Sequence, residues 1–227
     1  MRILVVNPNS TASMTDTIAA AARRVARPDT RVAATNPADG PPSIQGYLDG
    51  AACFAGLADA VSRAGDCDAV VVACFDDTGV DALRCALDVP IIGIGEAACH
   101  AAAMICAKFT VVTTLARSVA VLEANLLRYG LDRKCGSVRA SDVPVLKLEN
   151  GDEAAVGMIR RQIRDAIDRD GAEAIVLGCA GMTDLAARLA GEFAMPVIDG
   201  VACGVTMAEA LVASGLKTSK KKTYAAT

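Results

Sequence analysis

The sequence predicts an α/β protein of two similar lobes, each a parallel-rich sheet flanked by helices, related by a pseudo-twofold axis with the active site between them. Three observations carry this prediction. Short β-branched apolar runs are each followed by a helical pattern, as expected for parallel strands covered on both faces. The segment Asp68-Ala69-Val70-Val71-Val72-Ala73-Cys74 resembles Glu173-Ala174-Ile175-Val176-Leu177-Gly178-Cys179 at an offset of 105. Flanking it, Leu4-Val5-Val6-Asn7 resembles Thr110-Val111-Val112-Thr113, and Val89-Pro90-Ile91-Ile92 resembles Met195-Pro196-Val197-Ile198, both at an offset of 106. The repeat places residues 1–95 with 205–227 in one α/β lobe and 96–204 in the other.

The elements follow in order. Ile3 to Val6 reads as a strand, and Ser13-Met14-Thr15-Asp16 as a capping box that opens a helix running to about Ala26. Arg31 to Thr35 is a second strand, and Asp39-Gly40-Pro41-Pro42-Ser43 a loop by its turn residues. A helix from about Asp49 to Arg63, a strand from Asp68 to Ala73 and a helix from Thr78 to Leu87 come next. Val89 to Gly93 is a short strand leading into an Ala-rich helix from Glu96 to Ala107. The remaining strands are Phe109 to Thr113, Ala174 to Gly178 and Pro196 to Asp199. The remaining helices lie near Ser118 to Tyr129, Glu153 to Arg169, Thr183 to Glu192 and Thr206 to Ala213.

Composition removes several function classes. The 227 residues carry 23 Lys and Arg against 26 Asp and Glu, a formal charge of −3, so no basic field exists to hold nucleic acid or anionic lipid. Aromatics are 3% and Trp is absent, which leaves no stacking platform for bases. The Lys217, Lys220, Lys221 and Lys222 cluster reads as a solvated tail. The opening residues lack the h-region of a signal peptide, and no apolar run approaches a membrane span, so a cytoplasmic location is expected.

Nine cysteines suggest a disulfide or metal framework, but their spacing opposes it. No two lie closer than seven residues and the only histidine is His100, so no metal site is expected. Most of the thiols read as small buried hydrophobes, and His100 as a core or interface residue. Cys74 and Cys179 differ, because the repeat sets each at the C-terminal end of a strand. Two facing lobes then bring the pair to opposite sides of one cleft. A thiol with its ordinary pKa is about 7% thiolate at about pH 7.4, and a helix N-terminus just beyond it is expected to raise that fraction. One thiolate removes a proton from carbon while the opposite thiol returns one to the other face. Backbone N–H groups of Phe75 to Asp77 and Ala180 to Met182 are candidate donors to the developing oxyanion, each worth roughly 2.7–4 kcal/mol. Asp76 and Asp77 are candidate helix caps as well as site groups. The scheme requires no cofactor, and no Gly-x-Gly-x-x-Gly or Walker-type loop supports nucleotide binding.

These motifs resemble the Asp/Glu/hydantoin racemase superfamily, and within it the hydantoin racemase branch, with the allantoin racemase branch next. The resemblance spans the chain through Val6-Asn7-Pro8-Asn9-Ser10, Ser43-Ile44-Gln45-Gly46, Ala73-Cys74-Phe75-Asp76-Asp77, Ile92-Gly93-Ile94-Gly95-Glu96-Ala97, Val111-Val112-Thr113-Thr114-Leu115, Leu177-Gly178-Cys179-Ala180-Gly181-Met182 and Val197-Ile198-Asp199-Gly200-Val201, and through its tail, Thr218-Ser219-Lys220 with Tyr224-Ala225-Ala226. It implies a cofactor-independent two-base racemase with Cys74 and Cys179 as the acid/base thiols. It also implies substrate contacts from Asn9 and Thr114, and from Ser43 and Gln45 on a loop over the cleft, each of which could instead be a cap or turn former. The amino-acid racemase branch resembles Cys-Asn-Thr at the first site and Cys-Thr-His at the second. Here Phe75, Asp76, Ala180 and Gly181 stand instead, leaving few partners for a charged head group and favouring a neutral ring. A 5-monosubstituted hydantoin is the first expectation and allantoin the second. The partners expected are this small molecule and further copies of the chain in a homo-oligomer. Rival readings are an amino-acid racemase, a cis-trans isomerase or decarboxylase of the same superfamily, and a cytosolic two-lobe sensor.

Overall fold

Two four-stranded parallel sheets share one internal order, β2-β1-β3-β4 and β6-β5-β7-β8. The computed structural model describes residues 1–148 and 152–225; Ala226 and Thr227 of the expected tail lie outside the described residues. The first sheet comprises β1 (Arg2–Val6), β2 (Arg31–Thr35), β3 (Ala69–Val72) and β4 (Ile91–Gly93), connected through α1 (Ala12–Val25), α2 (Tyr47–Arg63) and α3 (Val80–Ala86). After α4 (Ile94–Ile105) the second sheet repeats the plan. It has β5 (Phe109–Thr113), β6 (Cys135–Ala140), β7 (Ala174–Gly178) and β8 (Val197–Ile198), with α5 (Ala116–Tyr129), α6 (Glu153–Asp170) and α7 (Ala186–Phe193), and α8 (Gly200–Ala213) follows. Pairing register repeats too. Ile3 pairs with Ala69 and Val70 with Ile91, while Phe109 pairs with Ala174 and Ile175 with Val197.

The alternation of each strand sorts its residues between layers. Ile3, Val5, Ala69 and Val71 point into a core shared with Phe109, Val111, Ala174 and Val176 of the other sheet, with α1, α4, α5 and α8 between them. Leu4, Val6, Val70 and Val72 point outward under α2 and α3, while Val112, Ile175 and Leu177 point outward under α6 and α7. Both faces of each sheet are therefore apolar, which is why the strands read as unbroken hydrophobic runs. None of the described helices is long and apolar enough to cross a membrane.

Most elements fall within two residues of the sequence expectation, and four differences have physical causes. Strand β6 was not anticipated: Cys-Gly-Ser-Val-Arg-Ala has no apolar run because it is a partly exposed edge, paired to β5 with a register shift between Phe109 and Val111. It is fixed through polar groups, with Arg139 Nε and Nη2 donating to Asp170 at 2.6 and 2.7 Å and Ser137 donating to the same carboxylate. Helix α8 starts at Gly200 rather than Thr206, capped by Asp199, whose Oδ1 accepts from Val201 N–H at 2.9 Å. Gly204 within it permits close packing, since a Cβ there would lie 2.9 Å from Val71 Cγ1. The expected capping box at Ser13 is displaced: the N-cap is Thr11, without a side-chain cap bond, and its hydroxyl donates to Pro42 O instead. The lysine tail is not wholly solvated. Lys220 Nζ donates to Arg84 O and Cys85 O at the end of α3, and Thr218 donates to Asp88 O and Val89 O, strapping the C-terminus across the first sheet's edge.

One stability prediction arises from α6. A Cβ on Gly157 meets nothing within 4 Å, and helical Gly costs about 0.5–1 kcal/mol relative to Ala. Gly157→Ala is expected to raise stability by about that amount in denaturant titration, with activity unchanged; a lower midpoint would contradict it.

Candidate active site

The ends of β1, β3, β5 and β7 meet at one cleft. The turn after β3 supplies Cys74, Phe75 and Asp76, and the turn after β7 supplies Cys179 and Ala180. Asn9 enters from the loop after β1, and Thr113 and Thr114 from the end of β5. Seven of the sequence-derived candidates thus line a common space: Asn9, Cys74, Phe75, Asp76, Thr114, Cys179 and Ala180. The other three stand off its wall. Gln45 Nε2 donates to Ser43 Oγ and its Oε1 accepts from Arg117 at 2.8 Å, so both side chains tie the loop to α5. Between them Ile44 faces the cleft. Gly181 flanks the second thiol, and a Cβ there would lie 3.7 Å from Cys179 Sγ.

Met14, Ile44, Ser118 and Val145 complete the wall and were missed in the sequence reading. Ser118 carried a usable signal, four residues beyond Thr114 and in the first turn of α5. Val145 carried none. Ser118 and Thr114 are each 3% exposed, and both line the cleft. Asn9 is held by an asparagine pair, with Asn7 Nδ2 donating to Asn9 Oδ1 at 2.9 Å and Asn9 N–H donating back to Asn7 Oδ1 at 3.2 Å. Its own Nδ2 donates to Met14 Sδ, a weak acceptor, at 3.2 Å.

The turn carrying Cys74 is anchored by its neighbour. Asp77, 4% exposed and at φ 51°, accepts from Gly95 N–H at 2.9 Å, from Glu96 N–H at 2.8 Å and from the Tyr129 hydroxyl. It therefore caps α4, not the helix that follows Cys74. Asn125 Nδ2 of α5 donates to Asp76 O at 2.8 Å, so α5 holds the same turn twice. His100 lies on α4 against Tyr129, with ring centroids 6.3 Å apart, and does not line the cleft.

Both thiols are less acidic than the sequence suggested. Burial pushes Cys179 up to about 11, opposed by a hydrogen bond from Gly181 N–H and reinforced by the Asp76 charge. Burial, then the Asp76 charge, push Cys74 well above its ordinary value, opposed by Asp76 N–H. The expected helix-dipole effect fails because α3 begins only at Val80, and a 3₁₀ turn rather than an α-helix follows Cys179. The N–H groups of Asp77 and Met182 are also spent on Cys74 O and Cys179 O, which removes them from the expected set of oxyanion donors. Asp76 is itself raised to about 7 by burial and by the charges of Asp77 and Asp49. No Lys, Arg or His lines the cleft among the described residues.

Residues 3–208 match the family model described as Asp/Glu/hydantoin racemase. The chain belongs to this family. It is 47% identical to hydantoin racemase of Rhizobium meliloti over 227 residues, covering 99% of this chain and 94% of that protein. It is 42% identical to hydantoin racemase of Pseudomonas sp. strain NS671, covering 99% and 91%. Allantoin racemase from Klebsiella pneumoniae superposes with a TM-score of 0.96 at 43% identity, covering 100% of this chain and 94% of that one. The protein is accordingly an isomerase of the racemase type.

Proposed function

We propose that this protein inverts the C5 stereocentre of 5-monosubstituted hydantoins by proton transfer between Cys74 and Cys179. One observation carries the reading: the two strand-end cysteines line one cleft that, among the described residues, offers no cation to a carboxylate. In a hydantoin, C5 lies beside the C4 carbonyl. A thiolate on one face takes the C5 proton, the electron pair moves onto O4, and the opposite thiol delivers its proton to the other face of C5. One thiol is gained and one lost, so the transfer balances without a cofactor. Phe75, Ala180, Thr114, Ser118 and Asn9 line the cleft, and their N–H, hydroxyl and amide groups are the donors this reading assigns to the ring oxygens. Ser43 and Gln45 hold Ile44 over the ring, and the side-chain-free Gly181 leaves room beside Cys179.

Allantoin, a hydantoin with a ureido group at C5, is the second substrate. It is favoured by the full-length superposition on allantoin racemases, including that of Pseudomonas fluorescens at a TM-score of 0.96 and 44% identity. The test is incubation of single enantiomers of 5-benzylhydantoin, allantoin and glutamate, and of maleate, in D₂O. The expected result is loss of optical rotation with deuterium at C5 for the two rings, and no change in glutamate or maleate. Turnover of glutamate without turnover of either ring would overturn the reading.

The raised thiols give a pH prediction. A group whose neutral form is favoured in the folded protein is almost wholly protonated at neutral pH, so the reactive thiolate is scarce and grows with pH. C5 exchange is expected to rise by about tenfold per unit from about pH 6.5 to about pH 8.5. A flat profile over that interval would contradict it.

A further inference from the structure

We infer that Asp76 is a specificity-determining residue: its carboxylate accepts a hydrogen bond from a ring N–H of the cyclic ureide and turns away molecules that bring a carboxylate into the cleft. The inference rests on the hydantoin reading and adds what selects for it. Asp76 lines the cleft two residues beyond Cys74, and its backbone is fixed on both sides, by Asn125 on its carbonyl and by the triply bonded Asp77 next to it. Yet its carboxylate has no hydrogen-bond or ion-pair partner among the described residues. The capping duty that would explain a carboxylate here belongs to Asp77.

Chemistry identifies the missing partner. An ionised carboxylate only accepts hydrogen bonds, and the charges that raise it, Asp77 and Asp49, have its own sign. With no cation on the wall among the described residues, water or a donor on the ligand is left to satisfy it. A hydantoin ring presents two N–H groups and no negative charge. A free amino acid or an acidic C5 substituent instead brings like charge into a small, poorly solvated space, where repulsion is weakly screened. Asp76 lines the same cleft as Cys74 and Cys179, and its charge acts on both thiols.

The test compares the wild type, Asp76→Asn and Asp76→Ala at pH 8 on neutral 5-benzylhydantoin and anionic 5-(2-carboxyethyl)hydantoin. Wild type is expected to favour the neutral ring in kcat/KM, and Asp76→Asn to cut that preference at least tenfold, through a lower KM for the anion. Asn keeps an acceptor for the ring N–H and Ala does not, so Asp76→Ala raises KM for 5-benzylhydantoin further than Asp76→Asn. Asp76→Asn is expected to melt at or above the wild-type temperature, because its carboxylate has like-charged neighbours and no partner to lose. A preference within twofold of wild type in both variants, or a lower melting temperature of Asp76→Asn, would overturn the inference while leaving the hydantoin reading intact. Inactivity of the wild type on the neutral ring would overturn both.

Discussion

Cys74→Ala and Cys179→Ala are each expected to lower racemisation by at least about 10²–10⁴-fold, the usual contribution of a positioned acid or base, without unfolding the protein. The proposed two-thiol inversion needs a group on each face of C5, so under it the loss of either sulfur stops inversion even when the other remains. Stability is a separate matter. Both thiols are partly exposed at the cleft wall, so truncation opens space continuous with the cleft. The penalty should fall well below the about 2–5 kcal/mol of an enclosed Leu→Ala cavity. Racemisation assays alongside far-UV circular dichroism and melting curves check this. An active Ala variant would remove that cysteine from the chemistry, and a collapsed one would make the thiol structural.

Gly95→Ala is expected to have the second largest effect, on both activity and stability. Its Cβ would lie 2.3 Å from Phe75 O, a backbone atom in the turn that carries Cys74, and 3.2 Å from Asp77 Oδ1. Relief requires the turn to retreat from α4, straining the bonds from Gly95 and Glu96 to Asp77. Overpacking of this kind costs about 1–3 kcal/mol, and a displacement of about 1 Å at a reacting group costs about 10²-fold in rate. A variant with wild-type rate and melting temperature would show that the turn is not braced by this contact.

The same bracing shows how far the sequence could be read. The repeat located both thiols because apolar strands with a cysteine at the end survive as a visible pattern in each half. The fastening of those turns did not. At the repeat offset of 106, Asp77 and Gly93 correspond to Thr183 and Asp199, and the carboxylate has exchanged sides. In the second half Asp199 caps α8 and accepts from the Thr183 hydroxyl at 2.5 Å. In the first half Asp77 reaches across to cap α4, filling the space over Gly93, where a Cβ would lie 2.3 Å from its carboxyl carbon. Such exchanges, like the grip of Asn125 and Tyr129 on the Cys74 turn, join segments distant in sequence and leave no local period. Strand β6 escaped notice for another reason: a partly exposed edge needs little apolar patterning, and salt-linked Arg139 holds it instead. The thiol acidity was misjudged because burial and the Asp76 charge outweigh single N–H donors, and neither is visible before the cleft is assembled.

The central claim is that Cys74 and Cys179 approach the ring carbon from opposite faces. Racemisation rates alone cannot separate the two thiols, because enantiomers have equal free energy and kcat/KM must match in both directions. Proton exchange is free of that constraint. The decisive measurement is deuterium uptake at C5 from each pure enantiomer of 5-benzylhydantoin, by NMR, in Cys74→Ser and Cys179→Ser. Each variant is expected to exchange one enantiomer with retention, and the two variants to choose opposite ones. Equal uptake from both enantiomers in either variant would contradict the account.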